Sequence, residues 1–263
     1  LAARSRALCA LVFLPGAGGG SPDLSVFGGP GEDSSQFQVI SYPGWQRYTA
    51  NGFSCEILVD ELAAQIAAKV PEGPIRIVGL SIGGHFGYAV ALRLQAMGRE
   101  IAGLCAIDTF MFTCAGPSEG WQRRALAEAM ELLRARRMGE FIRFVQSRFW
   151  RALLRLASGR LPKLFSSSSE APMDPVLEGE LSMRLLVREA APWLAALDCE
   201  PQVLHAPAIL LRTQSNASSD APWRRRCPEI GIYEVPGKHH TLFEPENAVC
   251  LHDTFLAATR DWC

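Results

Sequence analysis

Ile75-Arg76-Ile77-Val78-Gly79-Leu80-Ser81-Ile82-Gly83-Gly84 decides the fold of this chain. A β-branched run leads into Gly-x-Ser-x-Gly, and a helix-like segment follows over residues 85–97. This is the sequence form of a nucleophile elbow, a sharp strand-to-helix turn that holds a serine hydroxyl exposed at its tip. The turn strains the backbone at Ser81 and crowds the positions two residues either side, so glycine at 79 and 83 removes the side chains that would collide. An ordinary tight turn is the competing reading. It leaves the paired glycines without a reason.

Upstream, Cys9-Ala10-Leu11-Val12-Phe13-Leu14 is a continuous apolar run, as expected of a strand buried on both faces of a parallel sheet. It empties into Pro15-Gly16-Ala17-Gly18-Gly19-Gly20. A phosphate-cradling loop would need a Gly-x-Gly-x-x-Gly helix pattern or a following Lys-Ser/Thr, and neither is present. Small residues let backbone approach a carbonyl closely, so the loop reads as the source of one N–H for an oxyanion hole, with the second from Ile82. A plain glycine-rich connector is the alternative. Residues 37–42 form a second short strand, and Ser54 caps a helix over 55–70 whose Ile57, Leu58, Leu62, Ile66 and Val70 recur at helical spacing.

Downstream, residues 101–107 are another buried strand, and Asp108 follows directly. Alternating strands and helices predict an α/β fold, a parallel sheet covered on both faces. Asp108 then sits at the carboxyl edge of the sheet, where open α/β proteins bind ligands. It reads as the acid that orients a histidine, or as a turn residue.

The alternation lapses between about 115 and 200. Helices are expected over 122–138, 139–156 and from 176 to about 189, an insertion that reads as a helical lid. Its first half is basic, with Arg123, Arg124, Arg134, Arg136, Arg137 and Arg143 among its charges. Such a run is a solvated helix face or an attractor for a phosphate-bearing or acidic partner. Strands resume over 208–212 and 230–235, and a closing helix is expected over 245–259. His239 and His240, in the loop after the last strand, compete to face Ser81, whereas His85, His205 and His252 read as structural.

At 263 residues the chain suits one large domain. A net charge of -1 gives no sign of a nucleic-acid binder. Eight cysteines without a Cys-x-x-Cys pair or zinc-like spacing read as thiols in a reducing compartment. No apolar run approaches the roughly 20 residues of a membrane span, and no secretory leader precedes a cleavage site. A cytoplasmic domain cut from a longer chain is therefore expected, since the sequence opens at Leu1.

The order Ser81, Asp108, His239 matches that of α/β-hydrolases. The whole chain resembles the thioesterase domains that end nonribosomal peptide and polyketide synthases. Residues 14–19 resemble that family's opening loop, 79–84 its nucleophile motif, 106–110 its acid motif and 237–242 its histidine motif. Many α/β-hydrolases place the acid after a later strand, a position occupied here by Asp220, which stays open as a rival. The family's histidine is usually followed by an aromatic, and His240 departs from that pattern.

The resemblance implies an α/β-hydrolase fold, a mostly parallel central sheet with helices on both faces and a helical lid insertion, in one domain over 1–263. It implies catalysis by Ser81, Asp108 and His239, with the N–H groups of Ala17 and Ile82 as the oxyanion hole. The substrate it implies is a peptidyl or polyketide chain on the 4'-phosphopantetheine of a carrier protein, released by hydrolysis or macrocyclisation without a metal or organic cofactor. No nucleic acid or membrane partner is implied. The alternatives are a stand-alone proofreading (type II) thioesterase, a lipase-like serine esterase, or a catalytically dead binding module.

Overall fold

Six apolar runs align as one parallel sheet, in the order β2-β1-β3-β4-β5-β6. The strands are β1 (Ala10–Leu14), β2 (Phe37–Val39), β3 (Ile75–Leu80), β4 (Ile101–Ile107), β5 (Ala208–Thr213) and β6 (Gly231–Val235). The helices are α1 (Trp45–Thr49), α2 (Cys55–Lys69), α3 (Ile82–Ala96), α4 (Pro175–Cys199), α5 (Ala221–Arg226) and α6 (Pro245–Thr259). This structure, a computed structural model, describes residues 9–28, 37–109, 130, 175–214, 216 and 220–262.

The chain divides into two compact units, Leu1–Phe112 with Asp174–Cys263, and Thr113–Met173. All the elements above belong to the first. Of the second only Met130 is described, so the helices expected over 122–138 and 139–156, and the basic run they carry, lie outside the described residues.

Successive residues of a strand point to opposite faces, and this builds two cores. Val12, Leu14 and Ile77 face one cluster that includes Leu58 and Leu62 of α2, Phe86 and Val90 of α3, and Leu186 and Leu194 of α4. Leu11, Phe13 and Val78 face the other, with Leu251 and Phe255 of α6. Every residue of β4 is buried. Each aliphatic or aromatic side chain so buried contributes about 1.5–3 kcal/mol. In α3 residues 82–91 are all buried, the pattern of a helix enclosed on every side.

Local signals set the boundaries. The Ser54 hydroxyl accepts from the Ile57 N–H at 3.3 Å and starts α2, a cap worth about 1 kcal/mol. α3 begins at Ile82, immediately after the turn and earlier than residue 85 as expected. β2 ends at Val39. α4 runs on past residue 189, through Pro192 to Cys199, because Ala190 and Leu194 continue its buried face. The short helices α1 and α5 carry no periodic signal and were not expected.

Among the described residues five cysteines are free thiols, whereas Cys9 is held in a disulfide, which corrects the expectation of thiols throughout. Scattered spacing does not say which cysteines meet in space. Among the described residues no helix is long and apolar enough to cross a membrane.

Candidate active site

Two residues share one construction at the carboxyl edge of the sheet. Ser81 is the first residue past β3, lies at φ 56°, and donates its N–H to Ile107 O at 2.8 Å. Asp108 is the first residue past β4, lies at φ 43°, and donates its N–H to Leu211 O at 2.7 Å. Each continues the ladder to the neighbouring strand by one bond while its backbone turns left-handed, a conformation costly for residues other than glycine. The paired glycines make the first turn possible. A Cβ on Gly79 would lie 2.2 Å from Gly83 O, and one on Gly83 would lie 2.3 Å from Leu14 O.

Asp108 is fully buried and both its oxygens are used. Oδ1 accepts from the backbone N–H and from the hydroxyl of Thr213, each at 3.0 Å. Oδ2 lies 2.7 Å from His239 Nδ1. Burial pushes this carboxyl's pKa up, but the hydrogen bonds from His239 and Thr213 outweigh it and hold the group below its ordinary 3.8. An ionised carboxylate only accepts, so Nδ1 of His239 carries the hydrogen and Nε2 is the acceptor nitrogen when the ring is neutral. The His239 side chain is 37% exposed, so it is reachable from solvent. A turn steadies it: the Lys238 N–H donates to Thr241 Oγ1 at 2.9 Å, and Asn247 of α6 donates to Thr241 O at 2.9 Å.

The two expected N–H donors lie in the loop after β1 and at the start of α3. Ile82 is the first residue of α3, so its N–H has no acceptor within the helix and stands at the positive end of the helix dipole. Ala17 sits in a turn closed by the Gly19 N–H donating to Gly16 O at 2.9 Å. Neighbouring Gly16 is close enough that a Cβ there would lie 3.5 Å from the Ser81 Cβ.

The rivals are engaged elsewhere. Asp220 pairs with Arg212 at 2.6 Å, and His240 is exposed beside the turn. His85 is buried, its Nδ1 2.8 Å from an Arg226 nitrogen that can only donate. His252 bonds Val26 O at 3.0 Å. Burial pushes the thiols of Cys55 and Cys227 up to about 12 and that of Cys105 higher still, so none supplies a thiolate near neutral pH. Among the described residues no group of three or more His, Cys, Asp or Glu is arranged to hold a metal ion.

Sequence reading missed two contributors. Thr213 ends β5 in register beside β4, but nothing in its sequence neighbourhood marks it as the partner of Asp108. Tyr42 donates its hydroxyl to Pro15 O at 2.8 Å, a contact across 27 positions that no local pattern signals.

Residues 10–258 match the Thioesterase domain family. The chain is 27% identical over 259 residues to the polyketide synthase GfsE of Streptomyces halstedii, covering 96% of this chain and 6% of that protein. Among solved structures it is similar to the NocB thioesterase domain in covalent complex with a fluorophosphonate nocardicin G analog (TM-score 0.57, 18% identity, 95% of this chain and 94% of that one). It is likewise similar to the wild-type Vlm2 thioesterase domain (TM-score 0.58, 19% identity, 94% and 92%). These likenesses establish the α/β-hydrolase fold.

Proposed function

The chain belongs to the Thioesterase domain family, and from that premise we propose that it releases a peptidyl or polyketide chain from a carrier protein through an acyl-Ser81 intermediate. His239 Nε2 takes the proton from Ser81 Oγ as that oxygen attacks the thioester carbonyl carbon. The carbonyl oxygen becomes an oxyanion received by the N–H groups of Ala17 and Ile82, each such donor being worth roughly 10²–10³-fold in rate. The C–S bond breaks, and the proton on His239 passes to the departing thiolate. A water, or a hydroxyl or amine within the chain, then loses its proton to His239 and attacks the ester carbon. Ser81 leaves with that proton, and free acid or macrocycle departs. Asp108 stays ionised throughout and stabilises the imidazolium.

The observation that carries this reading is the 2.7 Å contact of His239 with a buried, ionised Asp108, beside a serine held at an elbow tip. The chemistry calls on no metal or organic cofactor. The polyketide synthase likeness supports a substrate delivered on the 4'-phosphopantetheine of a carrier protein, which would be the principal partner. The chain spans 6% of that relative's length, so the reaction of the whole assembly is a separate matter.

Comparing one acyl chain presented on a holo carrier protein, as a small thioester and as an oxygen ester, tests the proposal. Preferred turnover of the carrier-bound form supports it. Equal turnover of all three would favour a lipase-like esterase. Product mass, as free acid or one water lighter, separates hydrolysis from cyclisation.

A further inference from the structure

We infer that Tyr42 is a positioning residue that aims the Ala17 N–H, acting with the Gly16–Gly19 turn as a brace on the loop after β1; this rests on the thioesterase reading above. The Tyr42 hydroxyl donates to Pro15 O at 2.8 Å and so fixes the Pro15–Gly16 peptide. The Gly19 N–H donates to Gly16 O at 2.9 Å and fixes the next peptide, Gly16–Ala17. A trans peptide is planar, with C=O and N–H on opposite sides, so anchoring Gly16 O in the turn directs the Ala17 N–H away from it. Two consecutive peptide planes are thereby set by two hydrogen bonds, and at Gly16 the loop also approaches the elbow closely.

That approach is set by the same group of atoms. A Cβ on Gly83 would lie 2.5 Å from Pro15 O, so the carbonyl held by Tyr42 is also the one packed against the first turn of α3. The Tyr42 ring in turn lies 5.5 Å from that of Phe86 in α3, which stacks on Trp193 of α4 at 5.1 Å. The tyrosine therefore ties the loop to the helix that carries the second donor, Ile82. Desolvation pushes the phenol's pKa up, so it stays protonated and keeps donating. Gly19 at φ 72° closes the turn in a conformation that a residue with a Cβ adopts only under strain, although the space around it is open.

An oxyanion donor acts on the transition state and not on the bound substrate, so loss of the brace must appear in kcat and leave KM. The test compares wild type, Tyr42→Phe and Gly19→Ala on a small acyl thioester, and measures the rate at which an alkyl fluorophosphonate labels Ser81. Tyr42→Phe keeps the ring and removes only the donor; Gly19→Ala alters the exposed end of the brace and leaves the core untouched. We expect kcat to fall at least about tenfold in both, KM to stay within about twofold, and the labelling rate to fall in parallel with kcat. Wild-type kcat and labelling in folded Tyr42→Phe would overturn the inference, as would a loss confined to KM. If Tyr42→Phe does not fold, wild-type kcat in Gly19→Ala overturns it alone. Failure of the phosphonate to label wild type at Ser81 would instead overturn the thioesterase reading, and this inference with it.

Discussion

Thr213 gives Asp108 Oδ1 two hydrogen bonds, one from its backbone N–H and one from its hydroxyl, both at 3.0 Å. This leaves Oδ2 to His239 alone. The Asp108 carboxylate is thus held by the end of the next strand on one oxygen and meets His239 with the other. Removing only the hydroxyl should loosen this. Thr213→Val is expected to lower kcat several-fold and stability by about 1–3 kcal/mol, the cost of a buried acceptor losing a partner. Steady-state kinetics and urea unfolding of the same preparation check both.

Asp108→Asn preserves shape but gives His239 a neutral amide able to present a donor, which favours the wrong ring tautomer. By analogy with the serine-protease triad, kcat should fall by roughly 10⁴-fold.

Asp108 also links stability to acid. Its folded pKa is lowered, so below the unfolded value of 3.8 the unfolded chain binds a proton that the folded one still refuses. The contribution is therefore fully present above about 3.8 and lost as pH falls through the lower, folded value. Urea midpoints from pH 6 downward should decline more steeply for wild type than for Asp108→Asn; parallel curves would contradict this.

Asp220 offers the contrast. It is spent on Arg212 at 2.6 Å, a partly exposed ion pair of the kind worth about 0–1 kcal/mol. Asp220→Ala should leave kcat within about twofold and cost no more than that in stability. A loss like that of Asp108→Asn would make it the acid instead.

Gly83→Ala tests the elbow itself. Its Cβ would stand 2.3 Å from Leu14 O and 2.5 Å from Pro15 O, both backbone atoms that cannot swing aside. Overpacking of this kind costs about 1–3 kcal/mol, occasionally more. A lowered melting temperature together with reduced turnover is expected.

Much of the scaffold was legible in the chain. Runs such as 75–80 and 101–107 are too short for helices, and the breaks before them, Pro71 to Pro74 and Gly98, left little freedom in placing the strands. Ser54 announced α2 through a local bond. What escaped was decided by tertiary contact. Pro192 costs a helix about 3 kcal/mol, yet α4 passes through it because Leu186, Ala190 and Leu194 are buried along one face. Five- and six-residue helices such as α1 and α5 show no period to read. At the site, sequence order and the family's histidine motif proposed Ser81, Asp108 and His239, with His240 left open as the adjacent rival. Geometry separates them: His239 turns to Asp108 and His240 to solvent. The contributions of Thr213 and Tyr42 needed the sheet to bring distant residues together.

Intact-mass spectrometry after treatment with an alkyl fluorophosphonate tests the central claim most directly, run on wild type, Ser81→Ala and His239→Ala. The account predicts one adduct on wild type, mapped to Ser81, none on Ser81→Ala, and strongly slowed labelling of His239→Ala. Labelling of Ser81→Ala at wild-type rate, or none on wild type, would contradict it.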